Sequence, residues 1–412
     1  MSKANDFEES WKCLGLKYGE EPYPIKGDGP FLIRSEDIKN FRAIEILHQM
    51  VEKATRLYLQ GEFRELFDFP LPLQDLIEID PGYDETCPIG RWDSFYERGV
   101  LKMLELNTDG TSGMGYVDAL NNIYAMHHNI KPGGDILKEA VLQTLLICYQ
   151  NFKNRREDKP QIAIVDWRGV LTESEQMRTV EYFIQRGFKT ILADPRELHY
   201  DGRCLWKNHF RIDLVYRRVV TSEYLAELSS LNALTQGYHE QDLCMVGSFR
   251  SQIGFDKRLF VIFSSPKYAR FFTSDEWEMS AGIIPWTRLL MTQDTLFRNE
   301  LFQIPKDLIQ MKDFFILKPP DLNRGKDIHF GESYSHSQWS DLIKDRLNKG
   351  FIVQEKIEVP IWGDGRWGLH LGHFIFSGKL AGWMARISRD AFLGDQAEEY
   401  LIPCLNSSEG EL

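Results

Sequence analysis

No run of apolar residues in the chain approaches the roughly 18 to 20 needed to span a bilayer. The N-terminus, Met1 to Lys12, has neither an apolar leader core nor an Arg-rich amphipathic pattern, so a cytosolic protein with no membrane partner is expected. Cysteine is sparse. Cys13, Cys87, Cys148, Cys204, Cys244 and Cys404 form no C-x-x-C pair, which argues against a zinc site and a disulfide framework and predicts mostly buried thiols. Positive charge is in deficit: 49 Lys plus Arg stand against 61 Asp plus Glu, a net charge of −12. Such a balance opposes a broad grip on a phosphate backbone and excludes nucleic acid as an expected partner. Internal repeats are missing, and the only biased tract is the polar tail Ser407 to Leu412.

What is present describes a globular protein, with 43% hydrophobic and 27% charged residues over 412 positions. That length exceeds what one core supports, so two or three packed lobes are expected, with boundaries near 1–158, 159–240 and 241–412. Helical spacing from Asp37 to Gly61 predicts one long helix, and 135–153 another. Between them, 91–95 and 100–107 flank Glu97-Arg98-Gly99 and read as a hairpin. Apolar runs at 161–166, 189–194 and 212–216 around a helix at 173–186 form a βαβ pattern and predict a small parallel sheet. The last third mixes a helix near 338–348 with strands at 313–318, 351–357 and 367–386. The fold class is therefore α+β with an α/β lobe.

Three groups of residues carry chemistry. Glu105 and Asn107, at i and i+2, share one face of a strand, and Asp93 on the adjacent arm shares it if the register cooperates. Hard oxygen donors of this kind suit Mg²⁺, although spacing alone is equally that of a solvent-exposed polar face. Lys318 ends the apolar strand Phe314 to Leu317 and faces a turn, where it can reach a phosphate. Lys267 follows Ser264-Ser265-Pro266, and the strand Phe351 to Ile357 stops being apolar at Gln354, as an adenine-binding hinge would. Taken singly these are also ordinary surface lysines and a strand leaving the core. Arg217 and Arg218 end the third βαβ strand, and Arg386 lies in the last lobe; arginine suits a bidentate grip on a carboxylate. Gly363 to Gly368 matches G-x-G-x-x-G, but a strand-like segment follows it, so a hairpin turn is expected rather than a dinucleotide site. The pairs His127-His128 and His370/His373 lack the spacing of a zinc site.

As a set, Arg91-Trp92-Asp93 and Leu104-Glu105-Leu106-Asn107-Thr108-Asp109-Gly110-Thr111 resemble the R-x-D … E-x-N-x-D-x-P-T signature of glutathionylspermidine synthase and related circularly permuted ATP-grasp proteins, with similar elements in eukaryotic glutathione synthetase. Phe315 to Pro319 resembles the family's strand with an ATP lysine, Pro266-Lys267 its earlier lysine, and Val353 to Ile357 its adenine hinge. Two departures stand out: Gly110 replaces the usual Pro, and the phosphate loop at 319–326 holds one glycine. The resemblance implies a glutathione synthetase-like permuted ATP-grasp fold, with a central antiparallel sheet and a parallel-sheet substrate lobe. Its implied activity is ATP-dependent amide formation between a small or peptide-like carboxylate and an amine through an acyl phosphate. It implies Mg²⁺ on Asp93, Glu105 and Asn107, and ATP on Lys267, Lys318, Gly325, Lys326, Gln354, Glu355 and Ile357. Arg91 would act on the transferred phosphate, with Arg386 and Arg217 or Arg218 on the acid. Two other readings stand beside it: a nucleotide-binding regulatory or scaffold relative that no longer ligates, and an enzyme of another class that binds a sugar or nucleotide-sugar on the βαβ lobe.

Overall fold

The computed structural model describes residues 3–27, 29–322, 326–363, 365–389 and 398–407. The expected helix over 37–61 is two, Ser35–Phe41 and Ala43–Leu59, which meet at Arg42. The longer one buries Ile44, Leu47, Met50, Val51, Ala54 and Tyr58 along a single stripe. A fully buried aliphatic side chain of this sort contributes about 1.5 to 3 kcal/mol, so the stripe fixes what lies on top of it. Above it runs the hairpin β1 (Ile89–Glu97) and β2 (Val100–Asn107). Trp92 and Leu106 of the hairpin join the same core cluster as Leu47 and Val51.

The chain next forms helices Met114–His127 and Ile136–Asn151 and then the parallel sheet. Its strands are β3 (Ile162–Val165), β4 (Thr190–Ala193), β5 (Leu214–Arg217) and β6 (Cys244–Val246), in the order β6-β5-β3-β4. All three pairings are parallel. The βαβ pattern thus appears as expected, with a fourth strand contributed from beyond residue 240.

A second mixed-length sheet follows: β7 (Thr287–Leu289), β8 (Phe315–Lys318), β9 (His329–Phe330) and β10 (Ile352–Glu355), ordered β7-β10-β8-β9 and wholly antiparallel. Its own core contains Phe297, Phe302, Phe315, Leu317 and Trp339, the last from helix His336–Arg346.

The expected strand over 367–386 is a hairpin of β11 (Trp367–Phe376) and β12 (Lys379–Ser388). The short strand Ile361–Trp362 pairs with the start of β11, Trp362 opposite Trp367, so the glycines at 363 and 365 do lie in a hairpin turn. β13 (Glu399–Ile402) adds to β12, and β11 adds to β1. The result is a six-stranded antiparallel central sheet ordered β13-β12-β11-β1-β2, with the short strand beside β11. One face of the sheet covers helix Ala43–Leu59. The other is sealed at one end by helices Met114–His127 and Ile136–Asn151 over Ile89, Phe374 and Phe376, and opens at the other end into a cleft.

Candidate active site

Register brings four polar side chains to the open face. Arg91 and Asp93 of β1 stand directly opposite Asn107 and Glu105 of β2, so all four project from the same side of the sheet. Gly372 of β11 lies beside Asp93, and Arg386 of β12 is opposite His370. The Asp93 carboxylate is buried. Arg91 donates to it through Nε (2.7 Å to Oδ1) and Nη2 (2.9 Å to Oδ2), and Arg386 through Nη2 (2.9 Å to Oδ2). The Asn107 amide adds a fourth donor at 3.2 Å. Burial pushes the Asp93 carboxyl up, but the two guanidiniums outweigh it and hold the group at about 2. Arg386 also lies 3.4 Å from Glu399, to which Tyr23 donates its hydroxyl at 3.2 Å. Glu105 is a third exposed, and one of its oxygens lies 3.4 Å from the Lys257 ammonium.

The second wall is the sheet of β7 to β10. Lys318, at the end of β8, donates to the Gln354 side-chain oxygen at 2.8 Å, and Gln354 donates to Thr287 Oγ1 at 2.9 Å. Burial lowers the Lys318 ammonium to about 8 against the opposing pull of Glu105. Ile316, Ile328 and Phe330 give this wall an apolar floor, and Glu355 to Ile357 its edge.

The third wall comes from the parallel sheet and the loop after β2. Asp166, Thr172, Arg218 and Glu223 face the cleft, with Tyr18 and Tyr23 from the N-terminal segment above them. Gly110 has φ +65°, and a Cβ there would lie 2.8 Å from the Arg218 carbonyl oxygen. Proline cannot take that backbone angle, so the departure from the usual Pro is a requirement of this turn. Together the three walls enclose about 470 Å³.

The structure brings Arg91, Asp93, Glu105, Asn107, Arg218, Lys318, Gln354, Glu355, Ile357 and Arg386 to this one cleft. Four expected residues lie elsewhere or outside the description. Lys267 is exposed, with its ammonium 5.2 Å from the Tyr268 ring, away from the cleft lining. Lys326 is exposed and does not line the cleft, and Gly325 lies outside the described residues. Arg217 turns the other way from Arg218: its guanidinium meets Asp109 at 3.0 Å and donates to the Val219 carbonyl, because alternation along β5 sends neighbouring side chains to opposite faces. His370 and His373 are buried groups. His373 meets Ser94 Oγ at 2.7 Å, and burial lowers both His370 and His373 to about 3.

Several residues escaped the sequence reading, among them Tyr23, Asp166, Glu223 and Glu399 of the cleft lining and Lys257 behind it. Lys257 is 3% exposed, donates to the Leu322 carbonyl at 2.8 Å and backs Glu105. The available signal was the charged triplet Asp256-Lys257-Arg258 just before the apolar run Leu259 to Phe263; charges in such a place are buried and must be paired.

Among the described residues, no group of three or more His, Cys, Asp or Glu side chains is placed to hold a metal ion. On the hairpin strand β2 the Glu105 carboxylate and the Asn107 amide line the cleft side by side, a pair that fits a Mg²⁺ ion completing its shell with water and phosphate. No helix among the described residues is long and apolar enough to cross a membrane.

Among solved structures, the chain is similar to a glutathione synthetase-like effector from Globodera pallida in its apo form, with a TM-score of 0.62 and 14% identity over 98% of this chain and 96% of that one. It also matches a protein described as a gamma-glutamylcysteine synthetase from Methylobacillus flagellatus, with a TM-score of 0.43 and 11% identity over 84% and 83% of the two chains. No family model matches the chain, and no curated protein matches its sequence. The first likeness shows a mixed α/β fold of glutathione synthetase-like form.

Proposed function

We propose that the protein is an ATP-dependent carboxylate-amine ligase of the permuted ATP-grasp type, acting on a small or peptide-like acid and an amine in the cytosol. The observation that carries the reading is the convergence, in one cleft, of a strand-end lysine on an apolar floor (Lys318), a pair of oxygen donors on one strand (Glu105, Asn107) and arginines from separate segments (Arg91, Arg218, Arg386). A substrate carboxylate would attack the γ-phosphate to give an acyl phosphate and ADP, and the amine would then displace phosphate to form the amide. Such transfer is catalysed chiefly by positioning and charge neutralisation.

Ile316, Ile328 and Phe330 would sandwich an adenine beside the hinge Gln354 to Ile357. Lys318 would exchange its hydrogen bond to Gln354 for a phosphate oxygen. Glu105 and Asn107 would hold Mg²⁺, which when bound neutralises phosphate charge. Arg91 would face the transferred phosphate, and Arg386 with Arg218 the carboxylate.

An ADP-release screen of carboxylates against amines tests this. Release that requires both partners supports ligation. ATP binding with no partner-dependent release would favour the second reading, a nucleotide-binding regulatory or scaffold protein, to which the glycine-poor loop Pro319-Pro320-Asp321-Leu322 lends support.

A further inference from the structure

Building on the nucleotide reading, we infer that Asp93 is not a third metal ligand but the positioning residue that aims Arg91 and Arg386 into the cleft. The three polar residues of the hairpin, which look alike in sequence, have different surroundings. Oδ2 of Asp93 already accepts from Arg91, Arg386 and Asn107, at 2.9, 2.9 and 3.2 Å. Oδ1 accepts from Arg91 Nε at 2.7 Å. Backbone approaches Oδ1 on one side: a Cβ built on Gly372 would lie 3.2 Å from Oδ1 and 2.8 Å from Arg91 Cδ. The pair therefore packs flat on a residue that has no side chain to interfere. A dication on this carboxylate would stand against two guanidiniums that already share its oxygens, an arrangement Coulomb's law disfavours in a buried site.

Glu105 and Asn107 differ on each count. Glu105 is a third exposed toward the cleft, with one ammonium 3.4 Å from one oxygen. Asn107 directs its amide N–H at Asp93, which points its side-chain oxygen away from that carboxylate. One carboxylate fixes two guanidiniums; Glu399 takes a second N–H of Arg386 at 3.4 Å, and Arg91 also donates to the Ser112 carbonyl at 2.9 Å. Each arginine is thus held at two points, which is how a side chain with several rotatable bonds is kept in one geometry for an incoming anion.

The test separates metal from anion. Mn²⁺ binding is measured with ATP by paramagnetic resonance, and inorganic phosphate binding to the Mn·ADP form by calorimetry, in wild type, Asp93→Asn, Glu105→Gln and Gly372→Ala. Glu105→Gln should weaken Mn·ATP about tenfold or more. Asp93→Asn should keep Mn·ATP affinity within about threefold and weaken phosphate about tenfold or more. Gly372→Ala removes no donor but displaces the pair, and should repeat the Asp93→Asn pattern, which keeps the inference testable if Asp93→Asn does not fold. Equal loss of Mn·ATP in Asp93→Asn and Glu105→Gln would overturn this assignment and leave the ligase reading standing. A wild type that binds no Mn·ATP would overturn both, and phosphate affinity unchanged in Asp93→Asn and Gly372→Ala would overturn the aiming role.

Discussion

Two buried carboxylate-guanidinium clusters, some of them only residues apart in sequence, serve opposite ends. Around Asp109 the charges balance one to one. Arg217 meets it at 3.0 Å with both side chains 1% exposed, Thr221 donates to it through its amide at 2.7 Å and its hydroxyl at 2.9 Å, and the guanidinium lies 4.5 Å from the Phe249 ring. Arg217 does not line the cleft, and the knot ties the loop after β2 to the parallel sheet. Around Asp93 one carboxylate meets two guanidiniums at the edge of a cleft, and the second of them, Arg386, also reaches Glu399. Burial of an ion pair is thus no indication of its use. What separates a fastening from a binding site is whether the guanidiniums themselves reach the cleft: Arg91 and Arg386 line it, and Arg217 does not.

The largest effect expected from this contrast is on stability. Asp109→Ala leaves the buried Arg217 guanidinium without its carboxylate partner and should cost about 3 to 5 kcal/mol in chemical denaturation. Arg386→Ala should cost clearly less, since Arg91 still neutralises Asp93; equal losses would erase the distinction between the clusters. On the ligand side, Lys318→Ala should weaken ATP by about 1.5 to 3 kcal/mol, the scale of hydrogen bonds to a charged group, and unchanged calorimetric affinity would remove Lys318 from the site.

Acidity probes the two faces of the central sheet, His370 toward the cleft and His373 against Ser94. Both imidazoles sit at about 3 in the folded protein, below the usual 6.5, because burial disfavours their charge. Below 6.5 the unfolded chain takes up protons that the folded one refuses. Stability is therefore full above that pH and declines as pH falls toward 3, by roughly 1.4 kcal/mol per unit for each ring. Denaturation midpoints that do not move between pH 7 and 5 would show the rings to be accessible. The smallest effect is reserved for Lys267: exposed and off the cleft, its change to Ala should shift ATP affinity and stability by less than about 0.5 kcal/mol, and a larger loss of ATP binding would return it to the nucleotide site.

Much of this arrangement was written locally. The hairpin of β1 and β2 followed from two alternating segments around Glu97-Arg98-Gly99, and the parallel sheet from short apolar runs around an amphipathic helix. The single helix expected over 37–61 divides at Arg42, whose backbone angles stay helical (φ −61°, ψ −23°), so the periodicity runs through the break and does not reveal it. Lys257 and Lys267 show the limit at the site. Each is one lysine near an apolar helix, and only the path of the chain from Phe255 onward carries Lys257 to Glu105 while leaving Lys267 at the surface.

The sequence alone determined which residue types share a strand face, since the two-residue period of a β-strand puts Arg91 with Asp93 and Glu105 with Asn107 whatever surrounds them. It determined too that Arg217 and Arg218 point apart. Tertiary structure alone decided which of the two enters the cleft, that Arg386 arrives from a strand nearly 300 residues away to share a carboxylate with Arg91, and that Gly372 leaves room beneath them. The physical reason is range. Side-chain alternation is set by bond geometry between neighbours, whereas the partners of a buried charge are set by which distant segments the hydrophobic core brings together.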